Sequence, residues 1–168
     1  QLVDVESIPD GTLITGTVRP EDNPGSPLPF IIKVDANGQK VWQTDLERRG
    51  ETFLRVYDVS STGDIYIRWD NQDSRSASIV KLTSDGTQVW ATGTLGDLVT
   101  SYIAAVKATP DGSALYYNYY NQTGAILSKL DAATGDVIWS KRLERDLPAD
   151  GDQRFNGRPS GALPLADG

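Results

Sequence analysis

The chain has 168 residues, 38% of them hydrophobic, and a net charge of −7 with Lys and Arg scattered along its length. That is enough for one domain with a core, and the wrong sign for nucleic acid or an acidic membrane, which bind basic surfaces by shedding counterions. His, Cys and Met are all absent, which excludes disulfides, thiolate nucleophiles, imidazole bases and soft-metal centres. No apolar run reaches bilayer-spanning length, so no membrane insertion is expected.

Taken in chain order, the elements repeat. The first unit (2–49) opens with two apolar, β-rich runs around SIPDG (7–11), is interrupted by PEDNPGSPLP (20–29), and continues through KVDANGQKVW (33–42). The second unit (50–97) reads most clearly. LRVYDVSSTG (54–63) is a strand ending in a turn, DIYIRW (64–69) a second strand, and ASIVKL (77–82) a third. TQVWATGTL (87–95) is the fourth, reached through a Ser-Asp-Gly turn at 84–86 within KLTSDGTQVW (81–90). The third unit (98–147) carries TPDG (109–112), the tyrosine run LYYNYY (115–120) and KLDAATGDVIW (129–139). A loop, DLPADGDQRFNGRP (146–159), and a final LADG (165–168) place a loop and the first strand of a further unit in 148–168.

Lys33, Lys81 and Lys129 recur every 48 residues, and Trp42, Trp90 and Trp139 follow at intervals of 48 and 49. A fixed period of this size marks a repeat architecture. Asp-Gly and Asn-Gly pairs suit tight hairpins because those turns need positive φ, so each unit reads as a four-stranded antiparallel meander. No convincing helical periodicity is present; LERDL (143–147) is too short to stand alone. Neighbours such as Ile31 and Ile32, or Ile79 and Val80, point to opposite faces of a strand, so each sheet is expected to be covered on both sides. A stack of small sheets sandwiched between one another is a β-propeller. The expected fold is therefore all-β, a propeller segment of about three blades.

Within it, Trp42, Trp90 and Trp139 are expected to fill the outer gap between blades, at roughly 3–5 kcal/mol each if buried. Gly38, Gly86 and Gly135 are expected to turn the chain back, and the Asp or Asn beside them to bond the turn's own backbone. Each repeated lysine is expected to pack its stem at a blade edge with its ammonium in water. Asp10, Asp85, Asp111 and Asp131 read as turn formers.

KLDAATGDVIW resembles the repeat of the quinoprotein-like (PQQ-like) β-propellers, whose tryptophan-docking phrase runs Ala-x-Asp-x-x-Thr-Gly-x-x-x-Trp. Asp131, Thr134, Gly135 and Trp139 match that phrase, while Lys129 stands where alanine is usual. The two earlier copies have a turn one residue shorter and are more similar to related bacterial propeller repeats than to the enzyme repeat. The resemblance implies the fold and a non-enzymatic branch; in this family the tryptophan is a blade-packing device.

Propellers have four to eight blades, and three leave unpaired faces that demand a partner. The open readings are a larger propeller of the same protein, the ordered piece of a multidomain protein, or two copies completing a six-bladed homo-oligomer.

Candidate chemistry is sparse. Asp150, Asp152 and Asn156 loosely resemble a calcium loop, but no bidentate Glu closes it; an ordinary polar loop is the expected reading. Tyr117 and Tyr119 share one face of their strand and could form a stacking platform for sugars or proteins, although packing between blades explains them more simply. Asn121-Gln122-Thr123 is a glycan acceptor triplet if the protein is secreted by a eukaryote. Glu47 and Glu144 are flanked by arginines and look solvated or paired. A serine nucleophile would lack a His partner, and no Gly-x-Ser-x-Gly elbow is present.

The reading is a non-catalytic structural or protein-binding scaffold with no cofactor, within an extracellular, cell-surface or periplasmic assembly. Its partner is another protein or the remaining blades of the same one. The location rests mainly on the family resemblance. The rivals are a fragment of a quinoprotein dehydrogenase holding pyrroloquinoline quinone and calcium, and a carbohydrate-binding propeller.

Overall fold

The computed structural model describes residues 1–22, 27–46, 52–71, 76–93, 102–121 and 124–143. Within them the chain is all-β, with twelve strands and no helix among the described residues. The first sheet comprises β1 (Leu2–Ile8), β2 (Gly11–Val18), β3 (Leu28–Val34) and β4 (Lys40–Asp45). The second comprises β5 (Thr52–Val59), β6 (Ile65–Asn71), β7 (Ser76–Leu82) and β8 (Gln88–Ala91). The third comprises β9 (Tyr102–Ala108), β10 (Ala114–Asn121), β11 (Gly124–Asp131) and β12 (Val137–Leu143). Each is an antiparallel meander in which sequence neighbours are sheet neighbours. Residues 94–101 and 144–168, including LADG and the aspartate-rich loop, lie outside the described residues, as does Glu47.

The sheets stack in series. The first strand of the second sheet, β5, lies against β1, β2 and β3 on one side and β9 on the other. One core therefore fills the space between the first and second sheets, with Leu13, Ile31, Leu54, Ile67, Val80 and Leu82 at its centre. A second core, with Tyr66, Ile79, Val106, Leu115, Tyr117 and Leu130, lies between the second and third. In the central sheet the described residues of β6 from Ile65 to Trp69, and of β7 from Ala77 to Leu82, are buried whichever face they occupy. That is the pattern of a sheet packed on both sides.

The first sheet corrects the expectation that every sheet is covered twice. Leu13, Thr15, Ile31 and Lys33 are buried against the second sheet, but the opposite face is not closed over. There Ile14, Phe30, Ile32 and Val34 are half-buried, and Leu2, Val5, Val18 and Leu28 are exposed. Strand register puts these residues together: Leu2 lies opposite Gly16, Val5 opposite Ile14, Val18 opposite Leu28, and Ile14 opposite Ile32. One apolar sheet face is thus left without a covering sheet among the described residues.

Candidate functional site: the joints between sheets

The recurring residues occupy one recurring geometry. Lys33 pairs across the sheet with Trp42, Lys81 with Trp90, and Lys129 with Trp139. In all three sheets the ladder is irregular immediately after the lysine. The residue passed over is Val41, Val89 or Ile138, each exposed despite its apolar side chain. A bulge of this kind re-aims the neighbouring side chain, and here the neighbour is the tryptophan.

Trp42 reaches the second sheet's last hairpin. Its Nε1 donates to Ser84 O at 3.0 Å, and Thr44 Oγ1 donates to Gly86 O at 2.6 Å. The indole covers Gly86 so closely that a Cβ there would lie 2.7 Å from Trp42 Cε3. Trp90 repeats the contact one sheet on: Nε1 donates to Ala132 O at 3.1 Å, and a Cβ on Gly135 would lie 2.9 Å from Trp90 Cδ2. Gly86 and Gly135 have φ of 84° and 79°. Glycine is required at these positions twice over, by the turn and by the ring resting on it. Both tryptophans are half-buried rather than buried, so the full-burial cost expected from sequence is too high for them.

The lysines depart from expectation more sharply. Lys33 and Lys81 are buried, and each ammonium is paired with a carboxylate rather than standing free at a blade edge. Lys33 Nζ lies 2.6 Å from Asp10 Oδ2, and Lys81 Nζ lies 2.9 Å from Asp64 Oδ2. Lys81 also donates to Ala132 O at 3.0 Å, the carbonyl that receives Trp90. Desolvating an ammonium is costly unless it is paired and hydrogen-bonded, and the first-hairpin aspartates supply the pairing. Asp10 is therefore an ion partner as well as a turn residue, and the hydrogen bond from Lys33 holds its carboxyl below the usual range.

The other aspartates act within their turns. Asp35 Oδ1 accepts from Asn37 N and Gln39 N, and Asp131 Oδ1 from Ala133 N and Thr134 N. Asp85 accepts from Thr83 Oγ1 and Thr87 N, and the Thr83 hydroxyl holds its carboxyl low. The Thr109 hydroxyl, with Ser113, lowers Asp111 to about 2.

Further links tie the inner strands. Thr15 Oγ1 donates to Leu54 O at 3.1 Å, Asp58 takes Lys107 Nζ at 2.9 Å and Ala108 N at 2.7 Å, and Ser61 Oγ donates to Pro110 O. Beside the first of these joints a cleft of about 350 Å³ lies between the first and second sheets, with Lys33, Asp10, Ser60, Thr62 and Ser84 on its wall. The Lys33–Asp10 pair already occupies its charged groups.

The tyrosine strand is packing. Tyr117 is 3% exposed within the second core, with Tyr119 stacked on it at 5.7 Å between centroids. Burial raises the pKa of both phenols. A stacking platform needs an accessible ring face; Tyr117 is buried, and Tyr119 is half-buried. Asn121 closes β10 opposite Gly124, while Gln122 and Thr123 lie outside the described residues, as does the calcium-loop candidate Asp150, Asp152 and Asn156. No cluster of three potential metal ligands occurs among the described residues, and no helix there is long and apolar enough to cross a membrane.

Three serial four-stranded meanders, joined at two boundaries by Trp42 and Trp90, each docking on the next sheet's glycine hairpin, define a β-propeller segment. The family described as outer membrane protein assembly factor BamB matches residues 30–163, and the chain belongs to that family of PQQ-like repeat propellers. No curated protein matches the chain at a significant level.

Proposed function

We propose that the chain is a non-catalytic, protein-binding scaffold segment within an exported or surface-exposed assembly. The observation that carries this reading is the apolar face of the first sheet, formed by Val5, Ile14, Phe30, Ile32 and Val34 with Leu2, Val18 and Leu28 at its margin. A contiguous apolar face gains roughly 25 cal/mol for each Å² covered, and such faces mark interaction surfaces. The family's description as an assembly factor supports the same reading. So does the consumption of the buried lysines in holding sheets together, since Lys33 and Lys81 are already paired.

The test places a photo-crosslinking residue at Val5 or Ile32 in producing cells, with Val137, exposed on the outer strand β12, as control. Covalent adducts with protein from Val5 and Ile32, and none from Val137, are expected. Failure of both positions to trap protein would overturn the binding role. Stoichiometric uptake of pyrroloquinoline quinone with calcium by the purified chain would overturn the non-catalytic one.

A further inference from the structure

The joint between the first and second sheets and the joint between the second and third use the same parts, but only the later one is closed. Because each sheet is an antiparallel meander, its first and last hairpins lie at the same end. Five residues (60–64) connect β5 to β6, and five (109–113) connect β9 to β10, whereas Pro9 and Asp10 alone connect β1 to β2. At the second joint the long turns meet. Ser61 Oγ donates to Pro110 O at 2.9 Å, and Thr62 Oγ1 lies 3.6 Å from where a Cβ on Gly112 would stand. At the first joint the short turn does not reach its neighbour. Around Gly63, the counterpart of Gly112, only Ser84 of the same sheet comes within 4 Å of the Cβ position. The cleft of about 350 Å³ is the space left over, with Ile8, Pro9, Val59 and Ile65 as its apolar walls.

The short turn also leaves acceptors unmet that the second joint satisfies. Ser61 O stands where Pro110 O stands in the next sheet, and it receives no donor among the described residues. Ser84 O takes the Trp42 indole but no lysine, because Lys33 Nζ goes to Asp10, while Ala132 O takes both Trp90 and Lys81. Ser61 and Ser84 both line the cleft. Lys33 takes one side of the Asp10 carboxylate, but the Asp10 side chain is 70% exposed and stays open to a second cation. The turns at this end also carry Asp35, Asp85, Asp111, Asp131 and Asp136 against Lys40, a field that draws cations to the mouth of the cleft.

We propose that this cleft binds a basic side chain, Arg or Lys, presented by an exposed segment of a partner protein. The aliphatic stem lies along Ile8, Val59 and Ile65, and the head group donates to Ser61 O and Ser84 O beside the Asp10 carboxylate. An apolar stem with a charged tip suits walls of this composition. Arginine carries five donors in a fixed fork and can meet both carbonyls and the carboxylate together, so it binds more tightly than lysine. The site lies between two described sheets and is indifferent to how many further blades the protein has. It names a second contact for the protein-binding role proposed above and rests on that role, without using the apolar face of the first sheet.

The probes are capped pentapeptides of glycine and serine with a central Arg, Lys, norleucine or Glu. Each is titrated into the isotope-labelled protein and followed by amide chemical shifts. One inserted side chain gives weak affinity, on the order of millimolar. The Arg peptide should move the amides of Asp10, Ser61, Gly63 and Ser84, leave those of Asp111 and Ala132 at the closed joint in place, and bind at least tenfold more tightly than the norleucine peptide. The Glu peptide should not bind. Asp10→Asn should weaken Arg binding at least tenfold, while Asp111→Asn, which removes the same charge from the same end, should change it less than twofold. The peptide comparison on the unmodified protein decides the matter should Asp10→Asn disturb the fold. Equal binding of the Arg and norleucine peptides overturns the proposal, as do shifts spread evenly over the acidic turns, or no shift with any peptide. Adducts from Val5 and Ile32 without peptide binding would sink the cleft and leave the scaffold role standing.

Discussion

Adding one methyl group at Gly86 and at Gly38 separates the cost of the turn from the cost of the joint. Both glycines sit at the same place in their hairpins, with φ of 84° and 77°. Alanine at either pays the left-handed penalty, about 1 kcal/mol at the lower end of the usual range. At Gly38 nothing lies within 4 Å, whereas at Gly86 the new Cβ would lie 2.7 Å from Trp42 Cε3 and 2.8 Å from Thr44 Oγ1. Something must shift, and overpacking of this kind costs about 1–3 kcal/mol more. Gly38→Ala should therefore cost about 1 kcal/mol and Gly86→Ala about 2–4 kcal/mol. With a urea slope near 2 kcal/mol/M, the Gly86 variant should unfold about 1 M earlier than the Gly38 variant. Midpoints that coincide within the error of the titration would refute the idea that the indole, rather than the turn, makes Gly86 irreplaceable.

Further outcomes follow from the charged and polar groups. Lys81→Met should cost about 3 kcal/mol, because it strands the largely buried Asp64, while Lys33→Met should cost less, since Asp10 is 70% exposed and stays hydrated. Equal urea midpoints for the two variants would contradict this. The Tyr66 hydroxyl is buried without a hydrogen-bond partner among the described residues, and burial, with Asp64 and Asp58 nearby, pushes its pKa well up. Tyr66→Phe should therefore leave stability unchanged or raise it by about 1 kcal/mol; a loss above that size in thermal melts would show an unseen partner. Asp85 and Asp111 have folded pKa values below the ordinary 3.8, that of Asp111 at about 2. Their contribution is complete above the ordinary value and is lost as pH falls through the folded one. Urea midpoints should thus decline between pH 4 and pH 2, and Asp111→Asn should flatten that decline; an unaltered slope would remove Asp111 from the account.

The period of the tryptophans and glycines made the fold legible because every sheet needs the same joint, and identical needs leave identical residues. Apolar pairs such as Ile79 and Val80 announced a sheet packed on both sides, which the central sheet is. The lysine partners were not legible. Asp10 and Asp64 lie in the first hairpin of each sheet, distant in sequence from Lys33 and Lys81, and an aspartate beside glycine reads as a turn former. The bulges at Val41, Val89 and Ile138 were likewise hidden, since an apolar residue before a tryptophan reads as ordinary strand. The tyrosine run read more simply as packing between blades than as a platform, and sequence left the choice open because it gives side-chain alternation without saying which face a neighbouring sheet covers.

The fastener between sheets is split across the unit boundary, ring on the outgoing strand and seat on the incoming hairpin. Duplicating or deleting one whole unit of 48 residues therefore leaves every remaining ring with a seat. A cut elsewhere orphans one or the other. The number of wedges in such a protein is consequently free to drift over generations, while the length of each wedge is not.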